Sequence, residues 1–482
     1  MDRDPARAAG SRYDLAVIGG GIYGVSLALE ATRRGLRPVL LERGDFGSGT
    51  TWNNLRIVHG GLRHLQRLDL RGARDSMHER TWYLRTFREL VRPLACLMPL
   101  YGRGLRRPAL LRAALFANDV LSADLGVLPP GRVLTPRETV ERLPGVETDG
   151  LKGGALWYDA AMPDSQRLLI ELARWAVAGG ATLLNYVEAT GLLQREGRVE
   201  GVLGLDVVTG ASWELRADIV VNCAGPWSRE VAARFDRDIE ELFRPSLAFN
   251  ALLDRAPLSD HAVAVEPPWP GSRTYFLLPW KGRLLAGTYH AARPVGFAAG
   301  PPEREWIRRF LDDLNAALPV LGLAEADVMR IFWGLLPAAS PGTCRLALRE
   351  EIRCHADAGG PAGLFSVSGV KFTTARKVAE RVLGRIYGAM SAPDPTPRPT
   401  ARVQLWEEFE NVLLSDRDAA RRIVDRIVEE EAVVCLEDLL LRRTDWGLHP
   451  EAPADVAARI LDLRPELHAP EVAPGIPGEV DR

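Results

Sequence analysis

Apolar positions along the chain fall into three patterns, and each predicts a different kind of element. Unbroken apolar runs occupy Leu15-Ala16-Val17-Ile18, Val39-Leu40-Leu41 and Ile219-Val220-Val221, with a related strand pattern at Leu364-Phe365-Ser366-Val367-Ser368. Runs this short, bounded by small or turn-forming residues, predict strands buried on both faces. The period lengthens to that of an amphipathic helix over Val25 to Arg34 and again over Ala375 to Tyr387. Alternation at Phe249 to Leu253, Thr274 to Leu278 and Arg283 to Gly287 predicts an antiparallel sheet. The stretch Ser391 to Pro399 carries a proline at nearly every second position and reads as a linker. Beyond it, Val403 to Leu463 reads as short amphipathic helices.

The first apolar run passes directly into Gly19-Gly20-Gly21-Ile22-Tyr23-Gly24, and the second ends in Glu42. Strand, glycine turn, helix, strand and acid in this order form a dinucleotide-binding fingerprint. Gly19 permits the sharp turn, Gly21 lets backbone approach a pyrophosphate, and Gly24 lets helix and strand pack closely. The first helical N–H groups, from Ile22 onward, and the helix dipole then face the diphosphate. Glu42 follows at the distance, about 20 residues, where a carboxylate can accept the ribose hydroxyls.

What comes after Glu42 separates the two common dinucleotides. A simple nicotinamide domain would go straight to its next helix. Here Arg43 opens a small, polar loop that runs through Gly49, Thr50 and Thr51. It continues through Arg56, His59, Gly60 and Gly61, supplying hydroxyls and glycine backbone to cover a long, flat cofactor. The chain returns at Val187, at the strand end Ala224-Gly225, and at Gly369-Val370-Lys371-Phe372-Thr373, a strand–glycine–helix junction. Visits at the start, middle and end are the habit of FAD proteins with an inserted substrate domain. The fold class is therefore α/β, with a discontinuous Rossmann-like FAD domain (11–100, 155–235 and 340–390). A mainly antiparallel substrate domain (236–339, with parts of 101–154) follows, then a linker (391–402) and a small helical domain (403–482).

Composition narrows the function classes. Basic and acidic residues nearly cancel, 61 against 63, so nothing global points to nucleic acid. The five cysteines are scattered with no C-x-x-C or zinc spacing, which predicts reduced thiols, no metal and a cytoplasmic protein. No secretory leader is expected from the charged, small residues that open the chain. Tyr101 to Leu115 mixes Arg103, Arg106, Arg107 and Arg112 with leucines. That mixture fits either a solvated helix or a peripheral contact with the inner face of the cytoplasmic membrane.

The motifs together resemble the FAD-dependent glycerol-3-phosphate dehydrogenase family, within the D-amino-acid-oxidase-type flavoproteins. The resemblance rests on Val17 to Gly24, Gly44 to Thr50, Arg56 to Arg63, Tyr158-Asp159 with Asp164 and Arg167-Leu168, and Asn222 to Trp227. Pro279-Trp280 with Gly287-Thr288, Gly369 to Thr374 and Leu436 to Thr444 complete the series, in the family's order. It implies hydride transfer from the secondary alcohol of a small anionic substrate to flavin N5, with quinone or another acceptor taking the electrons. It also implies anion contacts by Arg63 and Arg349 and a role for Lys371 at the flavin or the substrate. Where the family has a third arginine this chain has Leu336, where it has a histidine near the flavin there is Asn250, and His64 replaces a tyrosine. Arg345 is an alternative anion partner, and His59, His64 and His290 are the candidate bases, with His64 placed for substrate contact. An amine or amino-acid oxidase, and a flavin-binding partner protein without activity, are the alternatives left open by Leu336 and Asn250. The oligomeric state is not legible.

Overall fold

The computed structural model describes residues 1–65, 69–102, 107–122, 125–293, 300–392, 406–450, 452 and 454–467; the side chains of residues 63, 65 and 407 also lie outside the description. The expected linker thus falls outside it from residue 393 onward, as do Arg103, Arg106 and the side chain of Arg63.

Parallel strands form the middle of the first sheet, in the order Leu364–Ser368, Ser212–Asn222, Arg12–Ile18, Pro38–Leu41 and Thr182–Leu184. Glu351–Cys354 joins one edge antiparallel, and the hairpin Val187–Arg195/Arg198–Asp206 folds onto the first half of Ser212–Asn222. Ile18 stands opposite both Leu41 and Asn222, and Asn222 opposite Ser366. The carboxyl ends of four strands are therefore level, which opens a crevice where ligands of such sheets bind. The helix Ile22–Thr32 packs between Ser165–Ala178 and Ala375–Tyr387. Leu15, Val17, Val25, Leu168, Leu172 and Val378 fill the space between these helices and the sheet. Each contributes about 1.5–3 kcal/mol by leaving water.

The second sheet runs Val328–Pro337, Pro245–Leu253, Arg283–Ala292, Tyr275–Trp280, Ala262–Val265, Arg92–Leu100, Gly153–Ala161 and Ile57–Val58, with Arg132–Leu134 beside Gly153–Ala161. Its pairs are antiparallel except Ala262–Val265 with Arg92–Leu100. The helix Arg304–Ala317 covers one face, where Phe310 sits edge-on to Phe249 at 5.5 Å and to Tyr275 at 5.2 Å. Residues 57–58, 92–100 and most of 153–161, which fall in the ranges expected for the flavin domain, form strands of this sheet. An apolar strand pattern does not encode its hydrogen-bonding partner, and here Leu94, Cys96 and Trp157 bury themselves against Trp280 and Phe332.

From residue 406 onward, the helices Trp406–Ser415, Arg417–Glu430 and Val456–Leu463 close around Trp406, Phe409 and Trp446. Phe409 stacks on Trp446 with ring centroids 3.8 Å apart.

Candidate active site

A cavity of about 880 Å³ follows the level strand ends and passes under the second sheet. Its first part is backbone-lined. Gly19, Gly21 and Ile22 face it from the first turn, and no side chain caps the helix Ile22–Thr32. Thr51 Oγ1 accepts the Ile22 N–H at 3.1 Å. Glu42 lines the same end and accepts N–H groups from Gly20 at 2.6 Å and Gly44 at 2.8 Å. Burial pushes its carboxyl pKa up, and the Gly44 and Gly20 N–H groups pull against that. Ala224 and Gly225 form the opposite wall. Arg43 lies over the Trp227 ring at 4.4 Å, and a Cβ on Gly49 would press to 3.2 Å from the same ring.

Four residues expected at the cofactor stand outside this lining, each for a visible reason. Gly24 works from behind: a Cβ there would overlap the Gly19 carbonyl oxygen, so it sets the helix–strand distance. Gly60 is likewise turned away, its N–H donating to Asp159 Oδ1 at 2.7 Å and Arg80 filling the place of a side chain. Val187 is fully buried and its N–H donates to the Glu42 carbonyl at 2.8 Å; Glu188 and Ala189 face the cavity in its stead. Arg56 is the substantive correction. It is fully buried at φ 61°, hydrogen-bonded to Ser165 and Gln166, and packed over the rings of Phe332 and Trp280. That guanidinium ties the start of the helix Ser165–Ala178 to the second sheet and does not line the cavity.

The second part of the cavity carries the chemistry. Gly369, Lys371, Phe372 and Thr373 line it at the start of Ala375–Tyr387, facing Thr50, His59, Gly61, His64, Asn250 and Leu336. The Gly369–Lys371 turn is held by Tyr23, for which the local sequence carries no signal. Its hydroxyl donates to the Lys371 carbonyl at 2.8 Å and accepts the Lys371 N–H at 2.9 Å. His64 Nδ1 faces Asp69 Oδ2 at 2.8 Å, and its Nε2 meets Lys371 Nζ. Asp69 also accepts the Gly72 N–H at 3.0 Å. That bond, the imidazole of His64 and the charge of Arg349 outweigh the opposing effect of burial and hold the carboxyl below its ordinary range. Arg349 lines an adjoining pocket of about 140 Å³ that shares His64 and Lys371 with the main one.

Asn250 is committed elsewhere. Its amide donates to the Asn53 carbonyl at 3.0 Å and its Oδ1 accepts from Thr288 at 2.8 Å, so it braces the cofactor loop against the second sheet. His59 pairs with Asp159 at 3.1 Å. Burial alone would raise Asp159, but His59, Arg80 and the Gly60 N–H bring it down to about 2. His290 also faces the cavity, and so do Arg345 and Arg273, the latter donating to the Cys344 carbonyl at 3.2 Å. A Ser–His–Asp alignment, Ser366–His355–Asp236, exists at 2.9 Å on either side of the imidazole. Ser366 and His355 are both buried and away from the cavity, so it is a structural tie between the strand Leu364–Ser368, the turn at His355 and the end of the helix Ser228–Phe235.

The residues fit a flavin dinucleotide: glycine backbone and helix N–H groups at one end, an acid for a ribose, and a cationic turn at the other. Comparison with known proteins agrees. Residues 14–380 match the FAD dependent oxidoreductase family. A glycerol-3-phosphate dehydrogenase of Synechocystis is 31% identical over 80% of this chain and 72% of its own length. Glycerol-3-phosphate dehydrogenase 1 of Mycobacterium bovis is 32% identical over 94% of this chain and 95% of its own. Among solved structures, the FAD complex of the Bacillus halodurans glycerol-3-phosphate dehydrogenase superposes with a TM-score of 0.70 at 22% identity, covering 96% of both chains. The chain belongs to the FAD dependent oxidoreductase family, among its glycerol-3-phosphate dehydrogenases, and FAD is its cofactor.

Proposed function

We propose that this protein oxidises the secondary hydroxyl of glycerol 3-phosphate, or of a closely related polyol phosphate, to the ketone. The observation that carries this reading is the convergence of Lys371, Arg349 and the Asp69–His64 pair on the Gly369 end of the cavity. Bound FAD supplies a hydride acceptor at N5. His64 is the base of this reading: Asp69 holds its Nδ1, and the substrate hydroxyl would take the place of Lys371 at Nε2 to hand over its proton. Lys371 is the cation at that oxygen, where negative charge develops as the proton leaves. Arg349 binds the phosphate, with Arg63 as a further partner. Arg273 and Arg345 supply positive charge on the side where Leu336 offers none. Anaerobic addition of glycerol 3-phosphate to the holoenzyme is expected to bleach the flavin absorbance. No bleaching by it or by related polyol phosphates rejects the reading, and peroxide release with amino acids instead would assign an oxidase.

Electrons leave to quinone at a membrane surface in this proposal. The helix Pro108–Ser122 buries Leu111 and Leu115, and Leu111 lines the cavity. Its other side leaves Leu110, Phe116 and Val120 at 47%, 70% and 57% exposure beside the exposed cations Arg107 and Arg112. No described helix is long and apolar enough to cross a bilayer, and the contact proposed is a peripheral one through this helix. The double variant Phe116→Ser/Val120→Ser is expected to lower binding to anionic vesicles by about 10-fold or more, from the lost burial of about 1.5–3 kcal/mol per large side chain. Unchanged co-sedimentation would remove this face from the membrane.

A further inference from the structure

Directly behind the cofactor loop lies a cluster of buried charges that the oxidation chemistry does not use. In the loop Arg43–Thr51, residues Arg43, Gly44 and Gly47 to Thr51 line the cavity, whereas Asp45 points backward and is fully buried. Its Oδ2 accepts from Arg442 Nε at 2.6 Å and Arg443 Nη1 at 2.6 Å. Its Oδ1 accepts from Arg443 Nη2 at 2.8 Å and Asn185 at 3.0 Å. Both arginines come from the C-terminal helical domain and are themselves buried. Arg442 reaches on to Asp438 at 2.8 Å, and Asp438 accepts the Tyr186 hydroxyl at 2.7 Å. The knot returns to the cofactor side, because the Tyr186 N–H donates to the Gly44 carbonyl at 2.9 Å while the Gly44 N–H donates to Glu42.

A charge as deeply buried as Asp45 is tolerated only while its partners are in place. Were residues 406–467 to leave, Asp45 would have to turn toward water, and the loop that carries Gly44, Gly49, Thr50 and Thr51 would turn with it. Yet none of the described residues lining the cavity lies beyond Thr373. The helical domain thus touches the cofactor site through Asp45, Asn185 and Tyr186 rather than by contact with it.

We propose that the C-terminal helical domain is a cofactor clamp: Arg442 and Arg443 position Asp45, Asp45 fixes the loop Arg43–Thr51, and FAD binding and docking of residues 406–467 are thermodynamically linked. Linkage is reciprocal, so a domain that tightens FAD binding is itself held more firmly when FAD is bound. Only FAD binding enters here, and the identity of the alcohol substrate has no bearing on it.

The test uses full-length protein, stripped of FAD and reconstituted, with two readouts. In the wild type, FAD is expected to slow backbone hydrogen exchange in residues 406–450, a region outside the cavity. The variant Arg443→Gln is expected to raise the FAD Kd by about 5–150-fold, the usual span of such couplings, and to lose the FAD-dependent protection of 406–450. The control Glu437→Gln removes a half-exposed partner of Arg442 and should leave the Kd within about twofold. Equal exchange in 406–450 with and without FAD in the wild type overturns the clamp, even if Arg443→Gln fails to fold. So does an Arg443→Gln protein with wild-type FAD affinity.

Discussion

Replacing His64 by glutamine is expected to lower kcat by about 10²–10⁴-fold, the worth of a positioned general base, while FAD stays bound. Glutamine can still reach Asp69 but offers no basic nitrogen. The discriminating readout is the pH profile. An imidazole base makes kcat/KM fall on the acid side as it protonates, and that limb should vanish in the variant. Asp69→Asn keeps the shape and removes the charge that fixes the imidazole. It should cost about 10–100-fold, as the loss of an orienting partner does at metal-bound histidines, with the acid limb retained. His59→Asn serves as contrast, since His59 is paired with Asp159, whose other oxygen is held by Arg80. A His64→Gln enzyme with an intact kcat and an unchanged acid limb would end the case for this base.

The parts of the fold and site that the sequence disclosed are those where local chemistry is decisive. Gly19, Gly21 and Glu42 were legible because a tight turn, a close backbone approach and a strand-end acid each demand one residue type at one spacing. Lys371 was legible because a strand–glycine–helix junction announces itself locally. Asp69 was not, although it lies only five residues from His64, since nothing in that spacing distinguishes a helix-capping aspartate from a histidine's partner. Arg56 misled for the opposite reason. An arginine in a glycine-rich loop reads as a ligand contact, and the residues that bury it, Ser165, Gln166, Trp280 and Phe332, lie far along the chain. The same distance concealed Asp45 with Arg442 and Arg443: long-range burial leaves no periodic trace. The second sheet shows the limit for backbone. Its alternating strands were recognised, but the partnership of Arg92–Leu100 with Gly153–Ala161 and Ala262–Val265 depends on tertiary packing.

The substitution Gly369→Ala is expected to lower kcat by about 10²-fold, the usual consequence of shifting a reacting group by an ångström. A Cβ at this position would overlap the phenol ring of Tyr23. The helix Ile22–Thr32 that carries Tyr23 is packed between two others, so the ring itself must swing aside. Doing so breaks both hydrogen bonds between its hydroxyl and the Lys371 backbone, and the cationic turn loses its anchor. Tyr23→Phe separates the two effects, for it keeps the ring and removes only the bonds. Tyr23→Ala removes ring and bonds together, leaving room for the new methyl. If Gly369 acts through Tyr23, the double variant Gly369→Ala/Tyr23→Ala should be no slower than Tyr23→Ala alone, and the two losses will not add. Additive losses would mean that the bare glycine backbone is needed by the flavin directly, and Tyr23 would then be a bystander to its requirement.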